Sequence, residues 1–448
     1  LISPLKAQEP GANPEPTEAI ETDDSEIDGG PNGRFVIAGY GNARYTSFSN
    51  ETNNDTFSAG FTPIFLYRIS DDLHAEAEIG VSVEAETGKA EVELEYTDLH
   101  YYLTNTTTIT MGKYLLPFAK FGPNLHPSWI NPLPSSPAMY AGHGSTSPVS
   151  GFLPVFNDFG AGIQQIIPLS ARHRIFLDGF IANGPRQATG DDGHGDDDAD
   201  AHGETTATSF PAPNWDREIN DHWATELNFD ANPGNINREL ARGGRVAYAY
   251  LPLFEAGASY YESEWKERDD RTLNIKFEEF QRSGAVAQLG QGFYRAYALD
   301  LALISEFWSF RMEYARSTNQ LPQTFPSFSP ENNRLPLPDQ RAAGGYGEFT
   351  FSPGIFGIDW LAGLQLVGRY DRVTFFDREK RFVNIAKDVF TVFNDRTEEQ
   401  ITFGLNYWVA PTAVIKFAVE NNRLPDEHDL AKTGRDYNRV LFELAYGF

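Results

Sequence analysis

The sequence predicts an all-β protein, a 16-stranded antiparallel transmembrane β-barrel with a constriction loop folded into it. Three observations predict this fold: apolar and polar residues alternate in segment after segment, every second connection is very short, and the C-terminal residue is aromatic. No run of roughly 18 apolar residues occurs, so no transmembrane helix is predicted. The chain contains no cysteine, which excludes disulfides and thiolate metal sites.

The alternating segments are long enough for a tilted strand to cross a bilayer, which takes about 10 residues. In residues 74–86, for example, Ala75, Ile79 and Val83 share one face, and Glu76 and Glu84 lie on the other. Because lipid offers no hydrogen-bond partners to the backbone, such strands can cross it only as a closed sheet. The predicted strands are 34–48, 56–70, 72–86, 89–103, 106–116, 156–169, 172–183, 238–251, 253–265, 292–304, 306–318, 340–352, 355–373, 397–409, 412–422 and 435–448.

Every second connection along the chain is very short, and the others are mostly long, with only the first two of them short. The short ones read SDD, TNT, PLSAR, LPL, SEF, SPGI and VAPT. Outer-membrane barrels keep short turns on the periplasmic side and longer loops outside. Residues 34–448 are therefore predicted as a barrel in the bacterial outer membrane. The predicted long external loops are 117–155, 184–237, 266–291, 319–339, 374–396 and 423–434.

The chain ends in a strand whose apolar face carries Leu444, Tyr446 and Phe448. This pattern is typical of the C-terminal signal that barrel-insertion machinery recognises, and we assign these three residues to it. Tyr, Phe and Trp near the ends of other strands suit interfacial aromatic girdles. The lipid bilayer and lipopolysaccharide are accordingly predicted partners.

The net charge of −27 excludes nucleic acid as a partner, because binding phosphates requires a surplus of cations. Much of this charge lies in two stretches, residues 1–33 and 184–236. The first is rich in Pro, Glu and Asp and cannot build a core. It is predicted as an acidic periplasmic tail, either disordered or docked onto a periplasmic partner.

Several stretches resemble the phosphate-selective porin O and P family of Gram-negative bacteria. They are VELEYTDLHYYLTNTTTITMGKYLLPFAKFGP, FGAGIQQIIPLSARHRIFLDGFIANGP, LQLVGRYDRVTF and ITFGLNYWVAPTAVIKFAVENN, which together span roughly half of the chain in scattered blocks. The resemblance implies a sixteen-stranded barrel that assembles as a homotrimer, with its third external loop folded into the lumen. Family members line the pore with arginines and lysines. The inward positions here mix cations with carboxylates, so anion selectivity is not carried over.

A barrel of this width contains a water channel unless something narrows it. Loop 117–154 is the candidate, because it is rich in Pro and Gly and has aromatic residues that can pack against the wall. Its predicted ion-facing residues are Lys120, Asn124 and His126. An external lid without a role in selectivity is the alternative.

Opposed rings of charge can also set ion preference in a pore. The candidate pore-wall residues are Glu76, Glu78, Glu93, Glu95, Arg245, Arg311, Arg369, Lys416 and Arg439. Each arginine could equally be paired with a neighbouring acid, and would then only satisfy the lumen wall.

The stretch GDDGHGDDDADAHGE, residues 190–204, combines carboxylates with histidines. Carboxylates suit Ca²⁺ or Mg²⁺, and imidazoles suit Zn²⁺, Cu²⁺ or Ni²⁺. Candidate ligands for a divalent cation are His194, Asp196, Asp198 and His202. The alternative is a solvated acidic surface loop, and no other cofactor is expected.

The function that these features predict is passive diffusion of small hydrophilic solutes or ions through a water-filled barrel, as in a porin. The alternative is a scaffold barrel that docks a periplasmic or surface partner and conducts little. An enzyme is not expected, because no spacing of serines and histidines indicates a catalytic triad.

Overall fold

The structure is a computed structural model that describes residues 34–49, 55–83, 88, 90–141, 151–187, 227–229, 240–265, 292–320, 339–385, 388–423 and 437–448. The predicted tail 1–33 and the candidate metal ligands at 194–202 lie outside these residues. So do residues 266–291 and 424–434, and most of the predicted loops 184–237 and 319–339. Within the described ranges, no helix is both long and apolar enough to cross a bilayer.

Sixteen antiparallel strands form one closed barrel, each pairing with its neighbours in the chain, so the predicted fold class is confirmed. The strands are β1 (Phe35–Phe48), β2 (Thr56–Arg68), β3 (Leu73–Val83), β4 (Ala90–Thr104), β5 (Thr107–Leu115), β6 (Asn157–Pro168), β7 (His173–Ala182), β8 (Ala241–Tyr250), β9 (Phe254–Trp265), β10 (Gly292–Ile304), β11 (Trp308–Gln320), β12 (Gln340–Phe351), β13 (Leu364–Ile385), β14 (Asp388–Ala410), β15 (Ala413–Arg423) and β16 (Tyr437–Gly447). Six of the seven predicted short turns are confirmed, because the strands on either side of them leave no more than five residues between them.

Side chains alternate between the lumen and the outer surface. On β10, Ala296, Ala298 and Asp300 are buried, whereas Tyr297 and Leu299 between them are exposed. Large apolar side chains are exposed in the same way on strands around the barrel. The period of two in the sequence therefore becomes an apolar outer belt around a polar interior.

The barrel closes between its first and last strands, which pair from Tyr40 with Gly447 to Phe48 with Arg439. The backbone N–H of Gly39 donates to the carbonyl of Phe448, and the N–H of Phe448 donates to the carbonyl of Gly39, at 3.1 and 3.0 Å. Gly39 has a φ of +155°, and a Cβ at this position would lie 2.4 Å from the Thr62 carbonyl oxygen. A side chain at residue 39 would therefore disturb the junction.

The predicted C-terminal signal lies on the outer face of β16 and beyond it. Leu444, Tyr446 and Phe448 are all exposed. The ring of Phe448 stacks on Phe61 with centroids 5.4 Å apart. These positions suit contact with lipid or with another protein, and recognition by the insertion machinery stays a prediction.

The predicted strand 355–373 is wrong in nearly its first half. Residues Pro353–Phe356 and Asp359–Leu361 form 3₁₀ turns, and the strand begins only at Leu364. Pro353 lacks an N–H, and Gly357 adopts a left-handed φ of +68°, so the chain turns here. The apolar residues in this stretch therefore belong to a longer connection at the short-turn end, where Trp360 is exposed.

The predicted loop 374–396 is also corrected, because most of it continues the hairpin of β13 and β14. Backbone pairing resumes from Glu379 with Asn394 and continues to Ile385 with Asp388, after a register shift that begins at Phe375. Alternating β-branched and aromatic residues favour strand here. Charged residues between them had suggested a loop.

A packed core lies inside the barrel rather than between layers. Phe118 and Phe156 meet edge to face at 4.9 Å, and Phe156 stacks on Tyr261 of β9 at 4.4 Å. Met139 and Leu153 join the same buried cluster. This core packs residues of the long connection between β5 and β6 against the wall.

The alternation leads to a prediction for the lipid-facing surface. Replacing Leu299, which is 60% exposed near the middle of β10, by Arg should destabilise the barrel by ~2–4 kcal/mol, because the charge would lie at the bilayer midplane. The matched change Val83→Arg, at the outer end of β3, should cost only ~0–1 kcal/mol. Equilibrium unfolding in urea, with the barrel in lipid vesicles, measures both. Equal costs at the two depths would contradict the assigned belt.

Candidate functional site

We call residues 117–155, in the connection between β5 and β6, the lumen loop, and its described residues pack against the inner wall of the barrel. It begins after Leu115 and forms a short helix at Phe121–Leu125. Further on, Tyr140–Ala141 pairs in parallel with Leu153–Pro154. Its described part, 117–141 and 151–155, contacts lumen-facing side chains of β9, β11, β13, β14 and β15 through hydrogen bonds.

Glu313 of β11 binds two separate parts of the lumen loop. One carboxylate oxygen, Oε1, accepts the backbone N–H groups of Lys120 at 3.1 Å and Phe121 at 2.7 Å. The other, Oε2, accepts the hydroxyl of Tyr140 at 2.6 Å. Burial, and then the nearby Glu313 carboxylate, raise the pKa of Tyr140 well above its ordinary value, so the hydroxyl stays protonated and donates. Glu313 itself is only 3% exposed.

Arg369 of β13 forms the second attachment point. Its guanidinium donates to the carbonyl of Ser135 at 2.9 Å, to the Ser135 hydroxyl at 2.9 Å and to the Ser136 carbonyl at 3.0 Å. Asp371, two residues along the same strand, accepts from Arg369 Nε at 2.9 Å and from the backbone N–H of Ala138 at 2.9 Å. The pair thus binds both donors and acceptors of the loop.

Lys416 of β15 forms the third attachment point. Its ammonium donates to the carbonyl of Asn131 at 2.9 Å, to that of Ser128, and to Glu443 of β16 at 2.9 Å. On the same part of the wall, Glu420 accepts from the Ser135 hydroxyl, and its ion pair with Arg439 measures 2.6 Å.

The loop also approaches the wall closely where the wall has no side chain. A Cβ on Gly404 of β14 would lie 2.5 Å from Leu133, and one on Gly447 of β16 would lie 2.9 Å from the Trp129 ring. Glycine at these two positions therefore gives the loop room to pack.

These ionic groups are buried as pairs, and this determines how the loss of one of them would affect the stability of the barrel. Breaking such a pair by removing one partner typically costs about 3–5 kcal/mol, because the other charge is left without compensation. Arg369, Asp371, Lys416, Glu420 and Glu443 are all buried. Removing any one of them should therefore destabilise the wall, and Arg369, Asp371, Lys416 and Glu420 also hold the loop in position.

The structure places the three predicted ion-facing residues at the start of the lumen loop. Lys120 forms an ion pair with Glu255 of β9. Asn124 is exposed and donates to the Lys120 carbonyl at 3.3 Å, and His126 Nδ1 lies 2.6 Å from the Gly122 carbonyl oxygen. Contact of these residues with a permeating ion stays a prediction.

The predicted cations of the wall are mostly paired with carboxylates. Arg245 lies 2.5 Å from Asp300 and 2.8 Å from Glu255. Arg311 is more open, with 22% of its side chain exposed and Glu348 at 3.9 Å. Arg369, Lys416 and Arg439 are the buried groups described above. The contacts of these cations are thus those of the alternative interpretation, in which each is paired with a neighbouring acid. A role of these cations in ion selection stays a prediction.

The predicted glutamates lie on β3 and β4, which are not among the strands that hold the lumen loop. Glu78 is buried and accepts the Tyr40 hydroxyl at 2.9 Å, whereas Glu76 has 33% of its side chain exposed. Glu93 pairs in register with Gly80, and Glu95 lies against the same glycine. The four glutamates therefore form one acidic stretch of wall.

The prediction missed most of the groups that hold the loop. Glu255, Glu313, Asp371 and Glu420 were not among the candidate site residues. One available signal was that each is a carboxylate at a lumen-facing position of its strand. Which loop atom each one meets depends on contacts across 135 to 285 residues of chain.

No protein-family profile matches the chain, and no curated protein matches it in sequence. Solved structures of similar shape include an anion-selective porin from Comamonas acidovorans, with 10% identity and a TM-score of 0.49 over 92% of this chain and 99% of that one. The outer membrane channel DcaP of Acinetobacter baumannii has 11% identity and a TM-score of 0.47 over 92% and 97%. OmpF of Salmonella typhi has 13% identity and a TM-score of 0.48 over 92% and 97%.

These likenesses are weak, and the assignment of the fold rests on the chain's own strand pairing. A closed sixteen-stranded barrel with an apolar outer belt has the architecture of a barrel of the bacterial outer membrane. Membership of the phosphate-selective O and P family in particular stays a prediction.

The Glu313 contacts lead to a prediction for the lumen loop. In Glu313→Gln an amide N–H₂ replaces one acceptor oxygen, so either Tyr140 or a backbone N–H of the loop loses its partner. Hydrogen bonds to a charged group contribute about 1.5–3 kcal/mol, and we expect destabilisation of that order in equilibrium unfolding by urea. Glu306→Gln, in an exposed short turn, is the matched control and should unfold like wild type. If both variants matched wild type, Glu313 would not hold the loop.

Proposed function

We propose that the protein allows passive diffusion of small hydrophilic solutes or ions through its barrel. The observation that carries this proposal is the closed sixteen-stranded wall around an interior lined by charged and polar side chains. Barrels of eight strands fill their interior with side chains, whereas those of sixteen to eighteen leave an aqueous channel. The lumen loop would narrow this channel without filling it.

Charges exposed inside the barrel support an aqueous route. Lys120 and Glu255 each have 20% of their side chains exposed, and Arg311, Glu76 and His100 are likewise partly open. A dry core would leave such groups without solvation, at a cost of several kcal/mol for each ion. Water in the lumen would hydrate them and would carry solutes.

We further propose a preference for cations. Four cations on other strands of the wall are neutralised locally, since Arg245, Arg369, Lys416 and Arg439 each lie within 3.0 Å of a carboxylate. On β3 and β4 the carboxylates dominate, and Lys113 of β5 donates to the carbonyl of Leu94 rather than to an acid. The field along this wall would therefore favour positive ions.

Assembly as a homotrimer is part of the proposal. The outer surface of β2, β4 and β5 carries large exposed apolar residues, among them Phe57, Val92 and Met111. A wall that is apolar up to its outer end suits contact with another copy as well as with lipid. Conductance steps that occur in groups of three would support trimers.

Ion flow across planar bilayers tests the main proposal. Reconstituted protein should give single-channel steps, and in a KCl gradient the reversal potential should indicate cation preference. Arg311→Gln removes an open lumen cation and should increase that preference, whereas Arg172→Gln in a short turn should leave it unchanged. A correctly folded sample that conducts no ions would favour the scaffold alternative, and anion preference would contradict the proposed field.

We also propose that the outer surface of β10, β11 and β13 binds phosphates of lipopolysaccharide. Three arginines near the outer rim are exposed, namely Arg295, Arg316 and Arg372. On each of these strands a tyrosine lies two residues from the arginine, on the side of the membrane centre. Apolar residues follow towards the centre on each strand. The acids nearest to Arg295 and Arg372 lie 3.9 and 4.0 Å away, which leaves guanidinium donors for phosphate oxygens.

Changing all three of these arginines to Gln should lower the lipopolysaccharide that copurifies with the barrel several-fold. The matched control changes three exposed arginines at the short-turn end, Arg34, Arg68 and Arg172, and should retain it. Quantifying lipid-bound phosphate per folded chain measures both. Equal loss in the two triple variants would contradict a specific site at the outer rim.

A further inference from the structure

A cluster of three potential metal ligands lies on the lumen face of β3 and β4, apart from the lumen loop's attachment points. The imidazole Nε2 of His100 lies 3.0 Å from Asp98 Oδ1 and 3.9 Å from Glu76 Oε2. All three donor atoms lie within 4.8 Å of one another. None of the three residues binds the lumen loop in the hydrogen bonds described above.

Strand pairing brings these residues together and holds them. Glu76 of β3 pairs in register with Asp98 of β4, and His100 lies two residues further along the same face. Because residues two apart on a strand point to the same side, all three side chains enter the lumen at neighbouring positions. A cluster on paired strands is more rigid than the same residues on a loop.

The other nitrogen of His100 has a partner that orients the ring. Nδ1 lies 3.1 Å from the hydroxyl of Thr110, which pairs in register with His100 from β5. With Nδ1 directed at Thr110, Nε2 faces the two carboxylates. Ligating histidines in metal sites usually have such a partner on the second nitrogen, which fixes the ring and its tautomer.

Asp98 is the most deeply buried member of the cluster. Its side chain is only 5% exposed, and its Oδ1 lies 3.0 Å from His100 Nε2 with no further hydrogen-bond donor among the described residues. A carboxylate oxygen can accept more than one partner, so this oxygen retains capacity for an ion or a water molecule. It is the atom that points into the cluster.

We propose that Glu76, Asp98 and His100 form a binding site for a divalent transition metal of the Zn²⁺ class in the pore wall. Metal–ligand distances of about 2.0–2.2 Å at tetrahedral angles place donor atoms about 3.3 Å apart, and the observed separations of 3.0 and 3.9 Å lie near this value. One imidazole and two carboxylates suit Zn²⁺ or Co²⁺ better than Ca²⁺, which takes six to eight oxygens. Glu76 and His100 are open to the lumen, so the fourth position would hold water.

The site has a consequence for permeation that rests on the proposed porin function, whereas binding itself does not. A bound dication offsets the charge of two carboxylates on the acidic wall. Cation preference should therefore fall when the metal is present.

Co²⁺ binding to the full-length, detergent-folded chain tests the site, because the visible spectrum of Co²⁺ reports its ligands. We expect His100→Gln and Glu76→Gln to remove one bound Co²⁺ per chain and the spectral bands of a nitrogen-containing, tetrahedral site. Thr110→Val should weaken binding about 10–100-fold, because it removes only the partner that orients the ring. His173→Gln, on β7 and outside the cluster, is the matched control and should bind like wild type.

Two further controls distinguish Co²⁺ bound at this cluster from Co²⁺ bound elsewhere on the chain and from loss of folding. His194→Gln together with His202→Gln should leave the tetrahedral bands intact if the bands arise from Glu76, Asp98 and His100. Heat-modifiable migration on gels should verify that every variant is folded. Identical Co²⁺ spectra and stoichiometry in wild type, His100→Gln and Glu76→Gln would overturn the proposal and would indicate a plain imidazolium–carboxylate contact. Binding that persists in a non-conducting sample would leave the site standing and contradict only the porin function.

Discussion

The structure depends on the closure of the sheet between β1 and β16. Inside a bilayer, each backbone N–H and C=O needs a partner within the protein, because lipid supplies none. Pairing from Tyr40–Gly447 to Phe48–Arg439 removes the two edges that an open sixteen-stranded sheet would have. Closure also separates two environments, an apolar outside and a polar inside. The placement of charges, aromatic residues and the lumen loop follows from that separation.

The interior adds a second requirement, because many lumen-facing side chains of the wall are charged or polar. Each of these groups needs a hydrogen-bond or ion-pair partner. Carboxylates on β11, β13 and β15 accept backbone and side-chain donors from the lumen loop, and Arg369 and Lys416 donate to its carbonyls. Each charge is thereby compensated within a buried network, as buried charges must be. The loop is held by many attachment points on strands that are far apart in sequence. Its position is consequently a property of the whole barrel.

Much of the fold could be predicted from sequence, because strand alternation and turn length are local properties. The errors lie where local signals conflict. The apolar stretch at 355–363 alternates like a strand but contains the turn-forming Gly357. The stretch 377–387 contains charged residues, which favour a loop, although the hairpin continues through it. The site was harder to predict. The Pro-rich composition indicated an inward loop, but Glu313 and Asp371 find their loop partners only through the closed barrel. The grouping of Glu76, Asp98 and His100 needs the register of β3 and β4, which no local pattern specifies.

The unequal lengths of the strands limit how far the hydrocarbon layer of the bilayer can extend along the barrel. On β13 the last residue paired with β12 is Phe376, and on β14 the pairing with β15 begins at Glu399. Beyond these points, the two strands of the hairpin pair only with each other among the described residues, for about 30 Å of strand to Ile385. Their outward edges there carry backbone groups that hydrocarbon could not solvate. On that side of the barrel, the outer boundary of the hydrocarbon layer therefore lies no further out than Phe376 and Glu399. The part of the β13–β14 hairpin beyond these residues is exposed to water.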